Sequence, residues 1–140
     1  MTACLDDFFA INRLQIEELQ RIGDSFPDPN TPAACEAFTG QVKTVEAILR
    51  TIYGLVASEA KRASRLPDVA EIWSRTSLFC DSALQTLSSL KNRYPYCGTS
   101  ELHNLALDYK SACVKRNRRV LEEIECQNLE LPKGLFPERI

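Results

Sequence analysis

The sequence predicts an all-α protein, an antiparallel up-down-up-down four-helix bundle with an extended C-terminal tail. Apolar residues recur at spacings of three and four in four long segments, and most of the prolines fall between these segments. No segment shows the alternation of a strand. A chain of 140 residues is long enough for one substantial core. We therefore expect one bundle domain over residues 1–127 and a tail over residues 128–140.

The first two predicted helices are separated by the sequence FPDPN. Helix 1 is predicted from about Ala3 to Ser25, because its apolar residues fall on one face. Helix 2 is predicted to begin after Thr31, since threonine followed by proline is typical of an N-cap and first turn. Its apolar face continues in steps of three and four to about Arg65.

Pro67 ends the pattern of helix 2 and predicts a sharp turn into helix 3, from about Asp68 to Arg93. The sequence YPYCGTS then predicts a loop. Thr99 or Ser100 is expected to cap helix 4, which continues to about Gln127.

Composition argues against several classes of function. The chain has 17 Lys and Arg against 19 Asp and Glu, so its net charge of −2 does not favour polyanions or acidic membranes. Two aspartates near the N-terminus do not fit a secretory signal, and the six cysteines form no C-x-x-C pair. We expect a cytoplasmic protein with free thiols that binds neither nucleic acid nor membranes.

The run VKRNRRVLEEIE raises the question of nucleic-acid binding. A helical wheel places Lys115, Arg118 and Arg119 outward among glutamates, with an expected ion pair from Arg118 to Glu122. Such a mixed face is typical of a solvated surface, and nucleic-acid binding remains the weaker alternative.

Arg116 and Glu59 both fall on inward arcs of otherwise apolar faces. Their distances from the same end of the bundle differ by only about 6 Å along the axis at 1.5 Å per residue. The sequence therefore suggests a buried ion pair between Glu59 and Arg116. The alternative is that each side chain extends separately to water.

Helical bundles host metal sites through Glu-x-x-His pairs, but His103 is the single histidine. We therefore expect no metal and no cofactor. An alternative function, small-ligand binding or an enzyme, would use a pocket near the loop before helix 4. Its candidate residues are Tyr94, Tyr96, Cys97 and His103.

Apolar residues outside the predicted core are the candidates for a protein interface. Helix 4 carries a second apolar line of Leu107, Val114 and Leu121 at heptad spacing, and Leu14 and Leu78 also fall opposite the core faces of their helices. In the tail, Leu129, Leu131, Leu135 and Phe136 could cover the bundle or serve as a recognition motif. We expect a non-enzymatic protein–protein interaction module that associates with itself or with another helical protein.

Overall fold

A computed structural model of the chain describes residues 2–26, 31–94 and 98–127. The prediction of an all-α fold is confirmed, because the described residues form four helices: α1 (Thr2–Ser25), α2 (Pro32–Arg62), α3 (Leu66–Arg93) and α4 (Thr99–Cys126). Within these ranges no strand is formed. None of the described helices has an apolar stretch long enough to cross a membrane. The tail lies outside the described residues.

Two of the helix starts follow from capping and proline. The Thr31 side chain accepts a hydrogen bond of 3.3 Å from the backbone N–H of Ala34, which confirms the predicted N-cap of α2. Pro67 lies in the first turn of α3, where its missing N–H costs no hydrogen bond. Helix 2 ends three residues earlier than predicted, at Arg62.

The expected cap of α4 by Thr99 or Ser100 is wrong. The N-cap is Gly98, in the left-handed conformation at φ 87°, which glycine adopts without steric cost. The Thr99 hydroxyl turns back instead and donates a hydrogen bond to the Tyr94 carbonyl at the end of α3. This bond joins the two ends of the short connection between α3 and α4.

Contacts between helices show that the chain reverses at each connection. The Asn12 amide donates to the Val45 carbonyl at 3.2 Å, and the Gln41 amide donates to the Gln15 carbonyl at 2.9 Å, so α1 and α2 are antiparallel. On the other side, Lys110 pairs with Asp81 at 2.7 Å, and the Asn117 amide donates to Ser74 at 2.8 Å. Residue numbers rise on one helix as they fall on the other, so α3 and α4 are antiparallel.

The two hairpins pack so that α1 runs parallel to α3 and α2 runs parallel to α4. Phe9 stacks on Phe79 with 4.5 Å between ring centroids and Gly23 contacts Tyr94, so residue numbers rise together on α1 and α3. Tyr53 stacks on Tyr109 at 4.4 Å and Val42 lies beside Gly98, so residue numbers also rise together on α2 and α4. Helices α2 and α3 also contact each other. Among the described residues, no close backbone approach joins α1 to α4. These two helices therefore occupy opposite corners of the bundle, each with an outward face.

Candidate functional site

The outward face of α4 carries a shallow depression. The side of α4 that faces the core carries the buried residues Leu102, Ala106 and Cys113. The depression lies on the other side of the helix, which is turned to solvent. The depression has a volume of about 460 Å³ and is lined by Leu107, Lys110, Ser111, Val114, Lys115 and Arg118. We call these six residues the α4 face.

Leu107 and Val114 form the apolar part of the α4 face. Leu107 is 44% exposed, and Val114 is partly buried one heptad later. Leu78 of α3 is 43% exposed. The antiparallel register set by Asp81 and Lys110 places it at the level of Val114. Leu107 and Val114 therefore line the depression, whereas Leu78 is exposed at the same level on α3 without lining it.

Leu121 does not belong to this exposed line, and its prediction as an interface residue is wrong. It is 1% exposed and packs with Ala70 and Ile124 in a small cluster. The connection between α2 and α3 is short, so α3 begins early enough to cover this part of α4. Arg118 lies at the end of the depression instead, and the apolar line stops at Val114.

The residues that line the α4 face are basic or uncharged, while the exposed carboxylates Asp108 and Glu122 lie beside them on α4. Of its six residues three are cations and none is acidic. Lys110 is neutralised by Asp81, but Lys115 and Arg118 form no ion pair with any described residue. The expected pair between Arg118 and Glu122 is therefore not formed. An apolar floor between two unpaired cations can accept an apolar side chain flanked by carboxylates.

Leu14, the remaining predicted interface residue, lies on α1 and away from the α4 face. It is 64% exposed, and Ile11, three residues earlier, is 43% exposed. The acidic residues Asp7 and Glu17 are exposed on α1, and Glu18 is partly buried. Glu17 also lines a groove against α3 together with the exposed Arg13. We call Asp7, Ile11, Leu14, Glu17 and Glu18 the α1 face. Sequence analysis missed Ile11, although its spacing from Leu14 was a usable signal.

Of the four residues of the alternative pocket at the loop before α4, Tyr94 and His103 lie within the described residues. Tyr94 is buried, its hydroxyl donates to the Gly23 carbonyl at 2.7 Å, and its ring packs against Phe38 at 5.3 Å. It therefore joins α1, α2 and α3 within the core. His103 is partly buried, and its Nδ1 has no hydrogen-bond partner among the described residues. Tyr96 and Cys97 lie outside the described residues.

The proposed buried pair of Glu59 and Arg116 is wrong. Glu59 pairs with Arg62 at 3.7 Å, and Arg116 is exposed with its guanidinium 5.5 Å from the centre of the Trp73 ring. Glu59 lies seven residues after Ile52 and therefore on the same side of α2 as Ile52. The contact of α2 with α4 is made by Tyr53, which lies on a different flank. Arg116 instead gains a cation–π contact.

The buried thiol of Cys113 is poorly suited to nucleophilic chemistry. Cys80 and Cys113 are buried side by side between α3 and α4, and a hydrogen bond with Cys80 together with burial raises the pKa of Cys113 far above its usual range. A thiol that stays protonated is a weak nucleophile. Over the described ranges, no group of three or more His, Cys, Asp or Glu side chains could hold a metal ion.

No protein-family model, curated protein or solved structure matches this chain.

Proposed function

We propose that this chain is a non-enzymatic protein–protein interaction module, acting as an adaptor, assembly subunit or regulatory partner, and that it associates with itself through the α4 face. The observation that carries this proposal is the depression on α4, where Leu107 and Val114 lie between cations. Exposed leucines that occur singly need no explanation, but an apolar depression with a polar rim is typical of an interface.

Burial of the α4 face supplies a driving force for association. Full burial of a leucine or valine side chain is worth about 1.5–3 kcal/mol, and Leu107 still has 44% of its surface available. Leu78, at the level of Val114 on α3, is a further exposed apolar residue of the hairpin. A few such anchors provide a weak contact, since association also costs translational and rotational freedom.

The cations of the α4 face give the contact its selectivity. Lys115 and Arg118 are exposed and have no ion-pair partner among the described residues. A partner surface with carboxylates beside its apolar residues satisfies them, whereas another cationic surface is repelled.

The test is the solution mass of the protein by light scattering across a range of concentrations, with the variant Leu107→Glu/Val114→Glu alongside. We expect the wild-type mass to rise with concentration and the variant to stay monomeric with unchanged helical circular dichroism. Ala37→Glu/Ala47→Glu is the matched control, because it adds the same two charges at exposed positions of α2. A variant that associates as strongly as this control overturns the proposal.

A further inference from the structure

Four large apolar side chains are exposed among the described residues, and they fall into two groups. Ile11 and Leu14 lie on α1, whereas Leu78 and Leu107 lie on the α3–α4 hairpin. We propose that the occupant of the α4 face is the α1 face of a second copy of this chain, in a head-to-tail contact. This inference rests on the proposed function and names its partner surface.

The apolar residues of the two faces suit helix-on-helix packing. Ile11 and Leu14 are three residues apart and form a single ridge on α1. Leu107 and Val114 are seven residues apart, two turns along α4, and leave a depression at Ser111 between them. A ridge from one copy can enter the depression of another, so that the exposed leucines of both faces become buried.

The charges of the two faces are opposite. On the α1 face Asp7 and Glu17 form no ion pair within the described residues, and Glu18 pairs with its neighbour Arg21. On the α4 face the unpaired residues are Lys115 and Arg118. Contact between the α1 and α4 faces therefore brings unpaired carboxylates to unpaired cations.

Symmetric pairing of either face with itself is less favourable. In a two-fold contact the same surface is presented by both copies. Two α4 faces would bring together the unpaired cations Lys115 and Arg118 of each copy, and two α1 faces would bring together Asp7 and Glu17. Like charges across an interface are repulsive, so the charge pattern favours the contact between different faces.

The position of the two faces determines the kind of assembly. Because α1 and α4 occupy opposite corners of the bundle, a copy bound through one face leaves its other face available. A contact between different surfaces continues into an open chain of molecules unless the rotation between copies closes it into a ring.

The experiment uses two full-length variants, Leu14→Glu and Leu107→Glu, measured by sedimentation velocity separately and as an equimolar mixture. Each position is more than 40% exposed, so glutamate is accommodated in the fold.

We expect the wild type to form species larger than a dimer, and each variant alone to associate at least about tenfold more weakly. The mixture should form a dimer and no larger species, because it contains one intact α1 face and one intact α4 face. Leu14→Ser and Leu107→Ser, which add no charge, should behave in the same way.

Each contrary outcome has a distinct meaning. If Leu107→Glu is monomeric but Leu14→Glu associates like the wild type, the α4 face pairs with itself; the head-to-tail contact is then overturned and the proposed function stands. If both variants associate like the wild type, or if the wild type is monomeric at every concentration, both proposals are overturned.

Discussion

Gly23 lies in the last turn of α1, directly against the buried ring of Tyr94. A β-carbon at this position would lie 2.6 Å from Cε2 of Tyr94 and 3.2 Å from Cε2 of Phe38. These distances are shorter than van der Waals contact, and the Tyr94 hydroxyl also donates a hydrogen bond to the Gly23 carbonyl. Gly23→Ala must therefore displace the Tyr94 ring or separate α1 from α3.

The expected loss of stability follows from opposing contributions. Forcing an extra methyl group into a packed core costs about 1–3 kcal/mol, and weakening the buried hydrogen bond of Tyr94 costs about 1 kcal/mol. Replacing glycine by alanine in a helix recovers about 0.5–1 kcal/mol. We therefore predict that Gly23→Ala lowers the free energy of unfolding by about 1–3 kcal/mol.

Two other glycines provide matched controls for this substitution. A β-carbon at Gly40 or Gly54, both in α2, meets no atom within 4 Å. The same change there should raise the free energy of unfolding by about 0.5–1 kcal/mol through helix propensity alone. The same Gly→Ala substitution should therefore lower the free energy of unfolding at Gly23 and raise it at Gly40 and Gly54.

The assay is urea unfolding followed by helical circular dichroism, with the free energy of unfolding compared at equal m-values. Tyr94→Leu removes the ring atoms nearest to Gly23, so Gly23→Ala should cost clearly less in that background. A Gly23→Ala variant as stable as Gly40→Ala would refute the packing of Tyr94 against α1.

Three further predictions concern polar groups. Ser74→Ala should lower the free energy of unfolding by about 1–3 kcal/mol, because it leaves the buried Asn117 amide without this acceptor; Ser74→Ala/Asn117→Leu should recover most of the loss. The raised pKa of Cys113 means that the folded state keeps a proton that the unfolded chain loses above about pH 8.5. Stability should therefore fall as pH rises through that value, and less steeply in Cys113→Ala, as measured by urea unfolding across the pH range. Glu59→Gln should change the free energy of unfolding by less than about 1 kcal/mol, since its partner Arg62 is 65% exposed and the two charged groups lie 3.7 Å apart; a loss above about 3 kcal/mol would indicate a buried partner.

The helices were predictable because local signals determine where each one begins and ends. Thr31 and Pro32 mark the start of α2, and Pro67 marks the start of α3. The cap of α4 was not predictable in the same way. Glycine satisfies the N-cap position through its left-handed backbone, while Thr99 is drawn to the Tyr94 carbonyl, a contact that depends on how α3 ends.

The candidate site was predictable only in part, because periodicity gives the direction of a side chain but not the neighbour on that side. Helical periodicity correctly placed Leu107 away from the core. It wrongly placed Leu121 at the surface, because α3 covers this residue. It also wrongly directed Glu59 towards α4, which contacts a different flank of α2. The opposite charges of the α1 and α4 faces became apparent only when the ion pairs identified the carboxylates and cations without partners.

The head-to-tail contact is tested most directly by the solution mass of the equimolar mixture of Leu14→Glu and Leu107→Glu. We expect a dimer in the mixture under conditions where each variant alone is monomeric. A mixture that remains monomeric, while the wild type forms larger species, would contradict the head-to-tail contact between the α1 and α4 faces.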